Sequence, residues 1–61
     1  MSIRDLAHRT SQEGAVTAVW LDEEEDTVVV QHEFVHLSFP REEFDVFLAA
    51  LTEADDALKS K

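Results

Sequence analysis

Residues 27–39 read Thr-Val-Val-Val-Gln-His-Glu-Phe-Val-His-Leu-Ser-Phe, and this stretch decides the fold. It is dense in β-branched and aromatic residues, which favour strands. Its alternating apolar residues fall at even-numbered positions in the first half and at odd-numbered positions in the second half. The shift predicts a bulge, a bend or a break between two short strands near Glu33 and Phe34. A helix over 28–38 is the alternative, because short apolar runs are compatible with both structures.

The same stretch contains His32-Glu33-Phe34-Val35-His36, the HExxH pattern by which many metalloproteases hold zinc. On a helix, the two histidines share one face and can bind one ion, with Glu33 as general base. On a strand, residues four apart share a face but lie about 13 Å apart. Because the local sequence favours strands, we interpret both histidines as partly exposed strand residues and expect no metal, cofactor or catalytic residue. A zinc-binding or zinc-hydrolase site of His32, Glu33 and His36 is the alternative.

A C-terminal amphipathic helix is predicted from Pro40 to about Leu58. Proline suits the first turn, and the acidic residues that follow it complement the positive end of the helix dipole. The apolar residues recur at helical spacing. They are Phe44, Phe47, Leu48, Leu51, Ala54 and Leu58, of which the first four are expected to cover the sheet.

A second apolar row lies beside the first on the same helix. Its members are mostly small: Val46, Ala50, Ala54 and Ala57. The two rows together cover roughly 200° of the helix, where a surface helix needs only about 100° to meet its core. The surplus predicts that the second row is an interface in a homodimer or larger homo-oligomer. Alternatively, the alanines are present only because they are good helix formers.

The first half of the chain contains one further predicted strand. Residues 15–21 are apolar on both alternating faces, so we expect both faces to be covered. The five acidic residues 22–26 follow as a solvated hairpin turn that discourages aggregation. Residues 1–13 are expected to form an N-terminal arm with a short helix in it, because they begin like a capping box. The chain therefore divides into this arm and a single ββ(β)α domain, residues 14–61.

Composition indicates the setting of the chain and limits its ligands. It has 61 residues, a net charge of −9 and no cysteine. The charge repels nucleic acid and anionic lipid, and no apolar run approaches the roughly 20 residues of a membrane span. Residues 1–14 lack the apolar core of a signal peptide, and the absence of cysteine suits the cytoplasm. The acid-rich, lysine-poor composition resembles that of halophilic proteins.

We therefore predict an α+β fold, with a small antiparallel β-meander of two or three strands followed by one amphipathic helix packed on the sheet. The predicted function is a non-enzymatic interaction or regulatory module that acts through protein–protein contacts. It is expected to form a homo-oligomer, since chains this short need additional support, and to bind an unidentified protein partner. Two alternatives stay open: the zinc protein described above, and an acidic nucleic-acid mimic that binds a basic partner.

Overall fold

A computed structural model describes residues 2–60 and has an α+β architecture. Four antiparallel strands form one sheet in the order β1-β2-β3-β4, and a single C-terminal helix follows them. The elements are β1 (Ile3–Thr10), β2 (Val16–Asp22), β3 (Thr27–His32), β4 (Val35–Pro40) and α1 (Arg41–Lys59). The predicted class, the antiparallel meander and the C-terminal helix are confirmed. The predicted strand number is wrong, because the sheet has four strands.

The additional strand is β1, which lies in the segment expected to be an arm with a short helix. Ile3–Thr10 pairs along its length with β2 and forms an edge of the sheet. The register shifts between Asp5 and Ala7, so one extra residue is accommodated there. This irregularity interrupts the strict alternation of a strand. It explains why the apolar spacing of the segment resembled that of a helix.

Short-range hydrogen bonds close the first two hairpins. In the β1–β2 turn, the Ser11 hydroxyl accepts from the backbone N–H groups of Glu13 and Ala15, and Gly14 supplies a φ of 93°. In the acidic turn, one carboxylate oxygen of Asp22 accepts from two backbone N–H groups that follow it. The predicted acidic hairpin turn is confirmed for residues 23–26, which are exposed, whereas Asp22 is the half-buried last residue of β2.

The start of α1 is fixed to the acidic turn by Arg41. Its backbone N–H donates to the carbonyl of Asp26, and its Nε lies 3.0 Å from an Asp26 carboxylate oxygen. Two turns into the helix, Phe47 packs against Phe39 of β4 with ring centroids 4.5 Å apart. Phe44 meets the same ring at 6.3 Å. The helix therefore joins the sheet at the end where the acidic turn lies.

The apolar core is confined to that end of the sheet. Leu21, Val28 and Phe39 lie opposite one another on β2, β3 and β4, on the side that the helix contacts. We call this side the helix-side face. Leu21 and Val28 are each 4% exposed, and they are the two buried apolar residues among residues 2–60.

The helix α1 adds no fully buried residue to this core. Phe44 and Phe47 are half-buried, whereas every described residue from Leu48 onward is exposed. The expectation that Leu48 and Leu51 cover the sheet is therefore wrong. The chain is correspondingly extended, with a radius of gyration of 13.0 Å, against about 10.5 Å for a compact domain of this length.

Candidate functional site

The HExxH residues form the β3–β4 hairpin. β3 ends at His32 and β4 begins at Val35, so Glu33 and Phe34 are the two residues of the turn. The break between two strands predicted at this point is confirmed, and the helix that the zinc interpretation requires is not formed. His32 lies opposite Val35, whereas His36 lies opposite Gln31.

This register places the two histidines on opposite faces of the sheet, since neighbouring positions in a strand alternate between faces. The expectation that they share one face about 13 Å apart is therefore wrong. The physical reason is that the chain reverses direction between them, which a single continuous strand would not do. The two imidazole rings do not converge on one point.

Each of the three motif side chains has a contact within the sheet. His32 Nδ1 lies 2.7 Å from the Thr17 hydroxyl oxygen on β2. The His36 ring meets Trp20 edge-on, with centroids 6.1 Å apart. Glu33 accepts a hydrogen bond from the Val16 backbone N–H at 3.1 Å. Within residues 2–60, no group of three or more His, Asp or Glu side chains is placed to hold a metal ion.

Two hydrogen bonds join Glu33 to Val16, the first residue of β2. Its backbone N–H donates to the Val16 carbonyl at 3.0 Å, while its carboxylate accepts from the Val16 N–H. These hydrogen bonds hold Glu33 at a φ of 56°, in the left-handed region that residues other than glycine seldom occupy. Phe34 is thereby held at the tip of the hairpin, where it is 97% exposed.

Exposed apolar side chains are the main feature of the described surface. Apart from Phe34, they fall on the first strand, the far part of the sheet and the helix. They are Ile3, Leu6, Val16, Val35, Leu37, Val46, Leu48, Leu51 and Leu58, with exposed fractions from 40% to 81%. A folded monomer normally scatters such residues singly, whereas here they are grouped in rows.

One group continues the helix-side face beyond the core. Val35 and Leu37 share the side of β4 that carries Phe39, and they are 54% and 41% exposed. Val30 lies opposite Leu37, and Val19 lies opposite Val30. Val19 and Val30 are half-buried, and together with Val35 and Leu37 they form what we call the open sheet face. It extends from the core toward the Glu33–Phe34 turn.

The helix carries the other two groups. Val46, Ala50, Ala54 and Ala57, which we call the alanine row, all lie exposed. Beside them, Leu48, Leu51 and Leu58 form a leucine row that is 48%, 51% and 81% exposed. A 19-residue helix is about 28 Å long, whereas a six-residue strand is about 20 Å long. Leu58, about 26 Å from the start of α1, therefore lies beyond the length of such a strand.

Charge is divided unequally among the elements. β1 has two arginines against one aspartate, whereas α1 has six carboxylates against two cations. Arg4 lies 3.8 Å from a carboxylate oxygen of Glu23, and Lys59 lies 3.1 Å from Asp55. Arg9 has no ion-pair partner among residues 2–60. The first strand is thus a basic edge on a molecule that is otherwise acidic.

Residues 2–60 enclose no pocket. Their helix is too polar to cross a bilayer. Comparison of the chain with protein-family models, with curated proteins and with solved structures found no match. Our candidate functional surface is the set of exposed apolar rows.

Proposed function

We propose that this chain is a small, acidic, non-enzymatic interaction module that acts through protein–protein contacts and that binds, first of all, a second copy of itself. The observation that carries the proposal is the uncovered apolar surface of the sheet and helix. A cytoplasmic setting suits a chain without cysteine, and its net charge of −9 disfavours nucleic acid as a ligand.

Surface area gives the proposal a magnitude. The chain exposes 5073 Å². A compact monomer of 6.9 kDa is expected to expose about 4,000 Å². The excess of about 1,000 Å² is similar to the roughly 800 Å² that each partner contributes to a stable protein interface. One partner subunit would therefore be sufficient to cover the surplus.

The alanine row is our proposed helix–helix contact. Small side chains allow two helices to approach closely, because the interaxial distance depends on the residues at the contact. Val46, Ala50, Ala54 and Ala57 recur at spacings of three and four residues, which places them along one side of α1. Their exposure leaves that side free for a partner helix.

Charge insertion into this row tests the proposal. Ala50→Glu places a carboxylate in the contact and should reduce the mass measured by light scattering to that of one chain, or unfold the protein. Ala49→Glu is the matched control, since Ala49 is equally exposed but lies about 100° around the helix on its polar side. If both variants keep the mass and stability of the parent chain, the alanines are only helix formers.

The two alternative functions predict different measurements. A zinc protein would contain one zinc ion per chain that is lost in a His36→Ala variant, and elemental analysis of protein purified without chelator decides this. We expect no stoichiometric zinc, because His32 and His36 lie on opposite faces of the sheet. A nucleic-acid mimic would compete with DNA for a basic protein, whereas the proposed module would not.

A further inference from the structure

We infer that the second copy binds reciprocally, so that the leucine row of each chain covers the open sheet face of its partner. The inference rests on the proposed self-association and names the surfaces and the geometry that the association uses. It concerns one occupant, a second copy of this chain. Its two surfaces are Leu48, Leu51 and Leu58 on the helix, and Val19, Val30, Val35 and Leu37 on the sheet.

The two surfaces are only partly covered within one chain as it is folded. The start of α1 is held to the acidic turn by Arg41 and to β4 by the Phe39–Phe47 contact. The open sheet face lies toward the opposite end of the sheet, near the Glu33–Phe34 turn. The leucine row follows the packed first turns of the helix and is 48%, 51% and 81% exposed. Each chain thus presents an apolar helix side and an apolar sheet face that it covers only in part.

A two-fold symmetric pair satisfies both surfaces at once. In such an interface, the contact of the first chain's leucine row with the second chain's open sheet face is repeated by symmetry with the two chains exchanged. The exposed helix of the first chain covers the sheet of the second, and the second helix covers the first sheet. Because the alanine row adjoins the leucine row on α1, the two helices can also contact each other over the paired sheets.

One helix is large enough to cover the open sheet face. Leu48 to Leu58 spans about 15 Å along the helix axis. Val35 to Leu37, the part of the open sheet face on β4, spans about 7 Å. The three strands that carry the open sheet face are together about 10 Å wide, which is close to the diameter of one helix. A single helix therefore fits the uncovered area.

The charges agree as well. Asp55 follows Leu51 by four residues and precedes Leu58 by three, so it borders the leucine row, where it pairs with Lys59. Arg9 lies opposite Thr17. Thr17 and Val19 are two residues apart on β2 and share one side of the sheet, so Arg9 borders the open sheet face. An incoming helix would bring the Asp55 carboxylate to this arginine. A like-charged contact would instead oppose association.

Disulfide trapping tests the geometry, and the natural absence of cysteine makes it specific. Leu51→Cys and Leu37→Cys chains are made separately, mixed in equal amounts, allowed to exchange and oxidised. A disulfide forms only where the Cα atoms come within about 7 Å. We expect a helix-to-sheet cross-link between different chains, identified by mass spectrometry. Ala49→Cys mixed with Leu37→Cys is the control and should not cross-link.

The outcomes separate this inference from the proposed function. If light scattering gives a dimer but the Leu51→Cys/Leu37→Cys mixture does not cross-link, the reciprocal geometry is wrong while self-association stands. If the mass is that of one chain, both are wrong. A monomeric chain that carries both cysteines and closes an internal disulfide would show that the helix covers its own sheet. Leu48→Cys with Val35→Cys is the second pair, for use if a first variant fails to fold.

Discussion

Glu33 explains why the zinc-like motif is a structural feature of the hairpin. Its carboxylate and its backbone both bond to Val16, and together they hold a left-handed φ of 56°. A two-residue hairpin usually contains Asn-Gly, Asp-Gly or a similar pair. Glu-Phe has no such signal. The sequence therefore predicted a bulge, a bend or a break between two strands at this point, but not the tight turn or the opposite placement of the histidines.

Two substitutions at Glu33 separate the contribution of its carboxylate hydrogen bond from the cost of its left-handed φ. Glu33→Ala loses the carboxylate bond to the Val16 N–H and retains the unfavourable φ, so it should lower the free energy of unfolding by about 1–2 kcal/mol. Glu33→Gly loses the same bond but removes the conformational cost of roughly 1 kcal/mol. Denaturant titration at equal protein concentration should therefore find the glycine variant more stable than the alanine variant. Equal stability would show that the left-handed conformation is not strained.

At the scale of elements, the strands β2 and β3 and the helix were predictable, whereas β1 and the course of the helix were not. The period of the apolar residues identifies an element but does not say which of its faces is covered. Irregular pairing between Asp5 and Ala7 concealed the strand character of β1. For α1, periodicity indicated an apolar side, but it did not indicate that Leu48, Leu51 and Leu58 on this side are exposed.

The second half of α1 should depend on the partner for its helical structure. Residues 48–59 are all exposed, and isolated helices shorter than about 12–15 residues are marginal in water. Far-ultraviolet circular dichroism should therefore show helical signal decreasing on dilution, in parallel with the measured mass. In Leu51→Asp the signal should be low at every concentration. A helical signal that is unchanged when the mass falls to that of one chain would contradict this dependence.

At the scale of the whole molecule, charge opposes both folding and association. The net charge of −9 is spread over a small body, and a dimer doubles it. Salt screens this repulsion, since the Debye length falls from about 30 Å at about 10 mM to about 3 Å at 1 M. We expect the thermal midpoint to rise between about 10 mM and about 2 M KCl. Equal midpoints across this range would remove the support for a halophilic origin.

Burial is the second property of the whole molecule. With two buried apolar residues among residues 2–60, the isolated chain has little hydrophobic burial to offset the conformational entropy lost on folding. Small domains without disulfides or metals commonly obtain the missing burial from a second subunit. We therefore expect self-association to be a condition of stability in this chain.

Sedimentation equilibrium of the unmodified chain at micromolar concentration tests this claim most directly. We predict a mass of at least twice the 6.9 kDa of one chain. Because folding and association are coupled, the unfolding temperature should also fall on dilution. A mass of 6.9 kDa together with cooperative unfolding at a concentration-independent temperature would contradict it.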